Sequence, residues 1–211
     1  MEKLLSVDWN LWGRLSLPLI AFSILGMVIL LVSAYSRDRQ PPYLMVAVAS
    51  VTVVVFLYTW LLWSTVVPLS QGMLLFDRFS YSLDLIVLTV LFLVLLISKK
   101  YFSMERIREG ESYALLLFAV VGMMLIHHGG DLIVIFLGIE IMSLASYILT
   151  GARRGVIRSY EAALKYFILG SFASGFLLYG IALAYGVTGS TSLASFQGLA
   201  SSQDPLLLLL A

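Results

Sequence analysis

Six long apolar runs dominate the sequence and restrict what the chain can fold into. They are Leu15–Tyr35, Leu44–Val67, Phe79–Ser98, Ser112–Ile126, Leu132–Leu149 and Ala162–Val187. Roughly 20 mostly apolar residues suffice for a helix to cross the hydrocarbon core of a bilayer. Because that core contains no water, the backbone must bond to itself, and a helix does so within one segment. The sequence therefore predicts an all-α fold, a polytopic bundle of six full transmembrane helices.

A seventh apolar run, Leu206–Leu210, lies near the end of the sequence, which stops at Ala211. This run is too short to cross a bilayer. We interpret it as the start of a seventh helix, and we expect the chain to be the N-terminal part of a longer protein.

The composition excludes several other classes of protein. Of the 211 residues, 61% are hydrophobic and only 12% are charged, whereas a soluble domain carries about twice that charged fraction. The formal net charge of +1 offers no basic surface for a nucleic acid. The sequence has no Cys, two adjacent His, and no glycine-rich nucleotide-binding motif, so we expect no metal, iron–sulfur cluster or other redox cofactor in this chain.

The Lys and Arg residues between the predicted spans are distributed unevenly. Nine lie on one side, namely Arg37, Arg39, Lys99, Lys100, Arg106, Arg108, Arg153, Arg154 and Arg158. Three lie on the other, namely Lys3, Arg14 and Arg78. Because basic loops stay in the cytoplasm, the sequence predicts a multi-pass protein of the inner (cytoplasmic) membrane whose N-terminus faces outward.

Glu140 is the most informative residue, because it lies near the middle of the fifth predicted span. A charged side chain at that depth costs several kcal/mol unless it is paired or hydrated. Ser143 and Tyr147 follow on the same helix face and give it a polar stripe. Desolvation favours the neutral carboxyl and a nearby cation favours the charged one, so Glu140 is a candidate proton carrier. The alternative is a structural hydrogen bond to a neighbouring helix.

Lys165 is the second candidate, inside the sixth predicted span. With Ser159 as the expected N-cap of this helix, Lys165 follows Glu161 by four residues, which favours a surface ion pair. Its long side chain could therefore extend to the cytoplasmic surface beside Glu161. Buried instead, it could pass protons. The residues alone leave both interpretations open.

Asp84, His127 and His128 lie toward the outer ends of predicted spans. Histidine titrates near neutral pH, so these residues, together with Tyr147, are candidates for proton access. The pattern favours a simpler interpretation, in which Asp84 is interfacial and the two histidines are solvated loop residues.

Three segments resemble a known family. They are Tyr113–Met124, Phe136–Tyr147 and Glu161–Gly170, the last continuing through Ala173-Ser174 to Tyr185–Ser190. They resemble the antiporter-like subunits of respiratory complex I (NADH–quinone oxidoreductase), and within that family subunit N most of all. Residues 1–110 would then hold three N-terminal helices, and residues 111–211 the start of the antiporter-like bundle.

The resemblance implies roles for both candidates. Glu140 matches a Glu that pairs with a Lys on the seventh helix of the family, and Lys165 matches a second buried Lys that relays protons. The chain would be a proton-translocating subunit, and partner subunits of the membrane arm and beyond would supply flavin, iron–sulfur clusters and quinone. A cation/proton antiporter of the same superfamily and a membrane scaffold without transport are the alternatives.

Overall fold

A computed structural model describes residues 13–35, 43–65, 69–71, 73–105 and 107–200. It contains helices α1 (Leu17–Tyr35), α2 (Leu44–Thr65), α3 (Arg78–Glu105), α4 (Glu109–His127), α5 (Leu132–Thr150), α6 (Ile157–Thr188) and α7 (Leu193–Ala200). Two short strands, β1 (Leu69–Gln71) and β2 (Leu74–Phe76), join α2 to α3. The predicted seventh-helix start, Leu206–Leu210, lies outside the described residues.

Helices α1 to α6 are each long and apolar enough to cross a membrane, which confirms the predicted all-α transmembrane class. The largest error at a boundary is in α3, which continues from the predicted Ser98 to Glu105. Lys99 and Lys100 do not end it, because charged side chains suit a helix that leaves the hydrocarbon core. The sequence analysis did not predict α7 or the antiparallel β1–β2 hairpin, in which Leu69 pairs with Phe76.

Helix α4 is the centre of the bundle. More than half of its apolar window is buried, and its Leu117 is fully enclosed. It packs in one continuous core with Phe22 of α1, Val48 of α2 and Leu88 of α3. This arrangement gives α4 neighbours on most of its circumference.

Helices α4 and α5 approach closely at two glycines. A Cβ added to Gly122 would lie 2.6 Å from the Gly138 carbonyl oxygen and 2.6 Å from the Met142 nitrogen. Small residues at such crossings let membrane helices pack backbone against backbone. The contact fixes the position of α5, and with it Glu140, relative to the buried core.

Helix α6 packs on α5 along one side only. Ile181 is its one buried residue, although the helix contains an apolar window long enough to cross a membrane. Its N-cap is Val156, so the expectation that Ser159 caps it was wrong. Ser159 is in the first turn of the helix, and its hydroxyl donates to the Thr150 carbonyl at 2.7 Å. Gly189, with φ of +68°, ends the helix in the left-handed conformation that glycine tolerates.

Candidate functional site

Glu140 lies near the middle of α5 and faces α6. Its half-buried carboxylate accepts a hydrogen bond from the Ser174 hydroxyl of α6. At about 1.5 Å per residue, Glu140 is about 12 Å from Leu132, the first residue of α5. The predicted mid-membrane acid therefore has a partner on the next helix, and that partner is a neutral donor.

The hydrogen bond of Ser174 differs from those of other hydroxyls in the membrane helices. Ser23, Thr52 and Ser146 each donate to a carbonyl four residues earlier in their own helix, at 2.8, 2.8 and 2.9 Å. This local bond is the common one for Ser and Thr inside a helix. Ser174 instead donates across the α5–α6 interface to Glu140. A hydroxyl has one proton to donate, so Ser174 is committed to the carboxylate.

Tyr147 holds the same interface one to two turns further along α5. Its side chain is buried and occupies the space where Gly170 would carry a Cβ, so only glycine fits there. Its ring meets those of Tyr166 and Phe167 edge to face, with centroids 4.7 and 5.9 Å away. Tyr147 is thus a packing residue, which leaves its predicted part in proton access untested.

Lys165 is exposed in this chain. Its Nζ atom lies 2.6 Å from Oε1 of Glu161, and the two side chains are 69% and 56% exposed. A Cβ added to Gly151, directly after α5, would lie 3.1 Å from the Ala163 Cβ, which places Ala163 on the α5 side of α6. Lys165 follows Ala163 by two residues, or about 200° around a helix, and so faces away from α5. The structure does not bring Lys165 and Glu140 together.

The end of the bundle that carries the α3–α4 and α5–α6 connections, here called the basic end, is held by ion pairs. Glu111 of α4 accepts from Arg108 at 3.0 Å and from Arg154 at 2.8 Å, and Arg153 lies 2.7 Å from Glu105. These contacts join two connections that the sequence predicts on the same side of the membrane.

The opposite end, here called the hairpin end, contains a buried histidine–aspartate cluster formed by Asp84, His127 and His128. Asp84 Oδ1 lies 2.9 Å from His127 Nδ1, and Asp84 Oδ2 lies 2.8 Å from His128 Nε2. The side chains of Asp84, His127 and His128 are 1%, 15% and 5% exposed. The expectation of solvated loop histidines was therefore wrong for His128, which is buried beside Asp84, whereas His127 remains partly exposed.

The hairpin covers this cluster. His128 Nδ1 lies 2.9 Å from the Leu75 carbonyl oxygen of β2, and the Leu75 N–H donates to the His128 carbonyl at 2.7 Å. The rings of Phe76 and Tyr81 flank the imidazole, with centroids 5.1 and 5.0 Å away. The Ser80 hydroxyl lies 2.8 Å from the His127 carbonyl oxygen and 2.7 Å from Asp77 Oδ1.

Asp131 is a buried acid that the sequence analysis did not single out. Its Oδ1 atom caps α5 by accepting from the Ile133 N–H at 2.8 Å, and its Oδ2 atom accepts from the Thr191 hydroxyl at 2.6 Å. Its place directly before an apolar run is the sequence signal for an N-cap. Asp131 thereby ties the α4–α5 connection to the segment after α6.

No group of three or more His, Asp or Glu side chains arranged to hold a metal ion occurs in the described part of the chain. In the histidine–aspartate cluster, ring nitrogens point at carboxylate and carbonyl oxygens rather than at a shared point.

Taken together, the six spans and the half-buried acid between α5 and α6 define a polytopic membrane protein with an ionisable group inside the bilayer. Residues 129–210 match the family described as "NADH:quinone oxidoreductase/Mrp antiporter, TM". Residues 129–210 thus belong to this family of antiporter-like membrane subunits.

Two relatives are NADH-quinone oxidoreductase subunits N. That of Trichlorobacter lovleyi is 40% identical over 192 residues, which are 87% of this chain and 38% of the relative. That of Chloroflexus aggregans is 41% identical over 194 residues, which are 90% and 39%. The chain thus spans less than half the length of the curated relatives that it matches.

Two solved structures share the fold. Respiratory complex I from Thermus thermophilus with bound aureothin contains a chain with a TM-score of 0.70 and 30% identity, covering 93% of this chain and 41% of that chain. The membrane-bound sulfane sulfur reductase, an archaeal respiratory membrane complex, gives 0.77 at 23% identity, covering 93% and 42%. The second likeness supports the fold alone.

Proposed function

We propose that this chain is part of a proton-translocating membrane-arm subunit of an NADH–quinone oxidoreductase, where it couples quinone reduction to proton pumping. The observation that carries the proposal is the Glu140 carboxylate, which lies in mid-span and accepts a hydrogen bond from Ser174. The names of the relatives support the assignment to this complex.

Glu140 is suited to exchange a proton because its charge is only partly compensated. One hydroxyl donor stabilises the carboxylate, but a neutral donor offsets less of the desolvation cost than a cation would. A cation that approaches the acid favours its ionised form, and withdrawal of that cation favours uptake of a proton. Ser174 acts as a positioning residue, because its hydroxyl holds the carboxylate on the α6 side of α5.

Lys165 is proposed to receive protons from the basic end. It lies about 12 Å from Ile157, the first residue of α6, at about 1.5 Å per residue. The exposed pair with Glu161 reaches toward the basic end. Proton access through Tyr147, Asp84, His127 and His128 is part of the same proposal.

We infer that the basic end faces the cytoplasm and that the N-terminus faces outward across the inner membrane. Lys and Arg residues concentrate at the basic end, where Arg108, Arg153 and Arg154 join the connections. Basic loops are retained in the cytoplasm. Other membrane-arm subunits, lipids and protons are the proposed partners, while flavin, iron–sulfur clusters and quinone are proposed to belong to other subunits.

A subunit of a multi-subunit cation/proton antiporter is the second candidate, because the matched family description names the Mrp antiporter beside the oxidoreductase. In that case the gradient of a cation such as sodium, and not quinone reduction, would be coupled to proton movement. A scaffold without transport is the third candidate.

The decisive experiment replaces Glu140 by Gln in the full-length gene. In inverted membrane vesicles, NADH-driven proton uptake and quinone reduction should both fall at least about tenfold, since positioned proton-transfer groups contribute that much or more. Native gels should show an intact complex. Glu109→Gln, at the basic end of α4, is the control and should leave both activities unchanged.

The outcomes separate the three candidates. Normal pumping in assembled Glu140→Gln vesicles would favour a scaffold, because a neutral amide keeps the hydrogen bond. Sodium-driven proton movement without NADH would favour the antiporter. Ser174→Ala should lower pumping roughly fivefold, equivalent to a hydrogen bond of about 1 kcal/mol. Ser174→Thr should restore it, whereas Ser171→Ala on the exposed face should have no effect.

A further inference from the structure

The ring of His128 lies between two hydrogen-bond acceptors. Its Nε2 atom lies 2.8 Å from Asp84 Oδ2, and its Nδ1 atom lies 2.9 Å from the carbonyl oxygen of Leu75. A carbonyl oxygen has no proton to donate, so Nδ1 must carry one. The other oxygen of Asp84 lies 2.9 Å from His127 Nδ1. In the ionised form of Asp84 both oxygens are acceptors.

We propose that the histidine–aspartate cluster is a proton-binding site at the hairpin end of the bundle, in which His128 is a resident imidazolium bridging the Asp84 carboxylate and the Leu75 carbonyl. A neutral imidazole has one N–H and can satisfy only one of these two acceptors. The doubly protonated ring satisfies both, and the adjacent carboxylate balances its charge. The ligand of this site is a proton, and the proposal does not rest on translocation through Glu140.

The groups around His128 are consistent with a retained positive charge. Asp84 faces it from α3, and Asp77 contributes a second negative charge from the turn before α3. Tyr81 packs edge to face on the ring and donates its own proton to the Leu15 carbonyl. Two further groups lie near without contacting the ring. Tyr58 of α2 interacts electrostatically with Tyr81, and Asp131 accepts hydrogen bonds from the Ile133 N–H and the Thr191 hydroxyl. None of these side chains brings a cation to His128.

The direction of the His128 pKa agrees with this geometry. Burial lowers the pKa, but the hydrogen bond and negative charge of Asp84, with smaller contributions from the Leu75 carbonyl and Asp77, raise it overall above the usual value. The charged form is thus the favoured one despite the burial of the ring.

His127 is the most accessible member of the cluster. Its side chain is 15% exposed, whereas Asp84 and His128 are almost fully enclosed. Its Nδ1 atom lies 2.9 Å from Asp84 Oδ1, so this ring connects the accessible side of the cluster to the Asp84 carboxyl group. Loss of one His128 proton would break either the Asp84 bond, which joins His128 to α3, or the Leu75 bond, which joins it to the hairpin.

The test is nitrogen NMR of the full-length protein in its membrane, labelled with ¹⁵N in the histidine rings. Protonated and unprotonated ring nitrogens resonate far apart, and the signals missing from His128→Gln identify those of His128. At pH 7.5 we expect two protonated nitrogens for His128. A titration to higher pH should convert one of them, with a midpoint above the usual histidine value. One unprotonated nitrogen at pH 7.5 would overturn the proposal.

Two variants locate the source of the charge. Asp84→Asn removes the counter-ion but keeps the shape, and should leave His128 with one unprotonated nitrogen at pH 7.5. His127→Gln is the matched control, and should leave both His128 nitrogens protonated. The opposite result in either variant would contradict the assignment. If Asp84→Asn fails to fold, the titration of the unaltered protein decides the question alone.

Discussion

Charged and titratable side chains are buried at the hairpin end but exposed along helix α6. At the hairpin end, Asp84 and His128 are almost fully enclosed and bonded to one another. Along α6, Lys165 bonds Glu161 of its own helix and remains 69% exposed. The difference lies in the neighbours, because α3, α4 and β2 converge at the hairpin end whereas α6 contacts α5 alone along most of its length. In this chain a polar residue of a membrane helix is buried where several other elements pack around it, and a partner on the same helix does not bury it.

The largest expected effect at the hairpin end comes from Asp84→Ala. It leaves the two histidines without their shared acceptor, and breaking a buried charged pair costs about 3–5 kcal/mol. The free energy of unfolding in detergent micelles should fall by about this amount. A loss below about 1 kcal/mol would show that water replaces the carboxylate and that the cluster is less enclosed than the structure indicates.

Glycine substitutions extend the comparison to the helix interfaces. Gly122→Ala places a Cβ 2.6 Å from the backbone of α5, so the helices must separate. We expect a loss of about 2 kcal/mol, as for other overpacked sites. Gly175→Ala in α6 meets no atom within 4 Å and is the matched control.

That control should be neutral or stabilising by up to about 1 kcal/mol, because Ala favours a helix. Thermal unfolding of both variants in the same detergent measures the contrast. Equal destabilisation by the two substitutions would contradict the distinction between a packed α4–α5 interface and an open α6 face.

One component of the pH dependence of the unfolding free energy should come from His128. Its folded pKa is raised above the unfolded value, so its proton stabilises the fold fully below the unfolded pKa. This stabilisation is lost as the pH rises through the folded pKa. The midpoint temperature of unfolding of the unaltered protein should therefore be lower at alkaline pH than at neutral pH. This decrease should be smaller than the one that Asp84→Ala causes at a fixed pH.

His128→Gln should lack this component, so the two unfolding curves should differ at pH 6 and approach each other at alkaline pH. A constant difference across the range would mean that the folded and unfolded states bind the His128 proton equally well.

The smallest effect is expected on α6. Glu161→Gln removes the partner of Lys165, but an exposed helix pair contributes only about 0.3–0.5 kcal/mol. The unfolding free energy of the chain in detergent should hardly change. A loss of more than about 1 kcal/mol would show that the pair is less screened than its exposure suggests.

Much of the transmembrane architecture could be predicted from the sequence. Five helix starts lie within three residues of the predicted ones, since an apolar run is a local property that the bilayer converts directly into a helix. The exception is α6, which begins at Ile157 and not at Ala162. The hairpin was missed because strands of three residues carry almost no pattern.

The candidate site could be predicted only in part from the sequence. Glu140 stands out in sequence because a carboxylate in the middle of an apolar run is costly wherever the run packs. Its partner Ser174 lies 34 residues away, in a run of small residues that gives no sign of this bond. Nothing local distinguishes a Ser that bonds its own helix from one that bonds the next.

The sequence by itself determined the membrane class, the six spans and the position of the mid-membrane acid, because hydropathy and the cost of a buried charge act on each segment separately. Only the tertiary structure decided which polar residues meet. Asp84 and the two histidines are separated by 43 and 44 residues, and their interfacial or solvated appearance in sequence disappears once α3, α4 and the hairpin close around them. Burial and pairing depend on neighbours that the chain brings together only on folding.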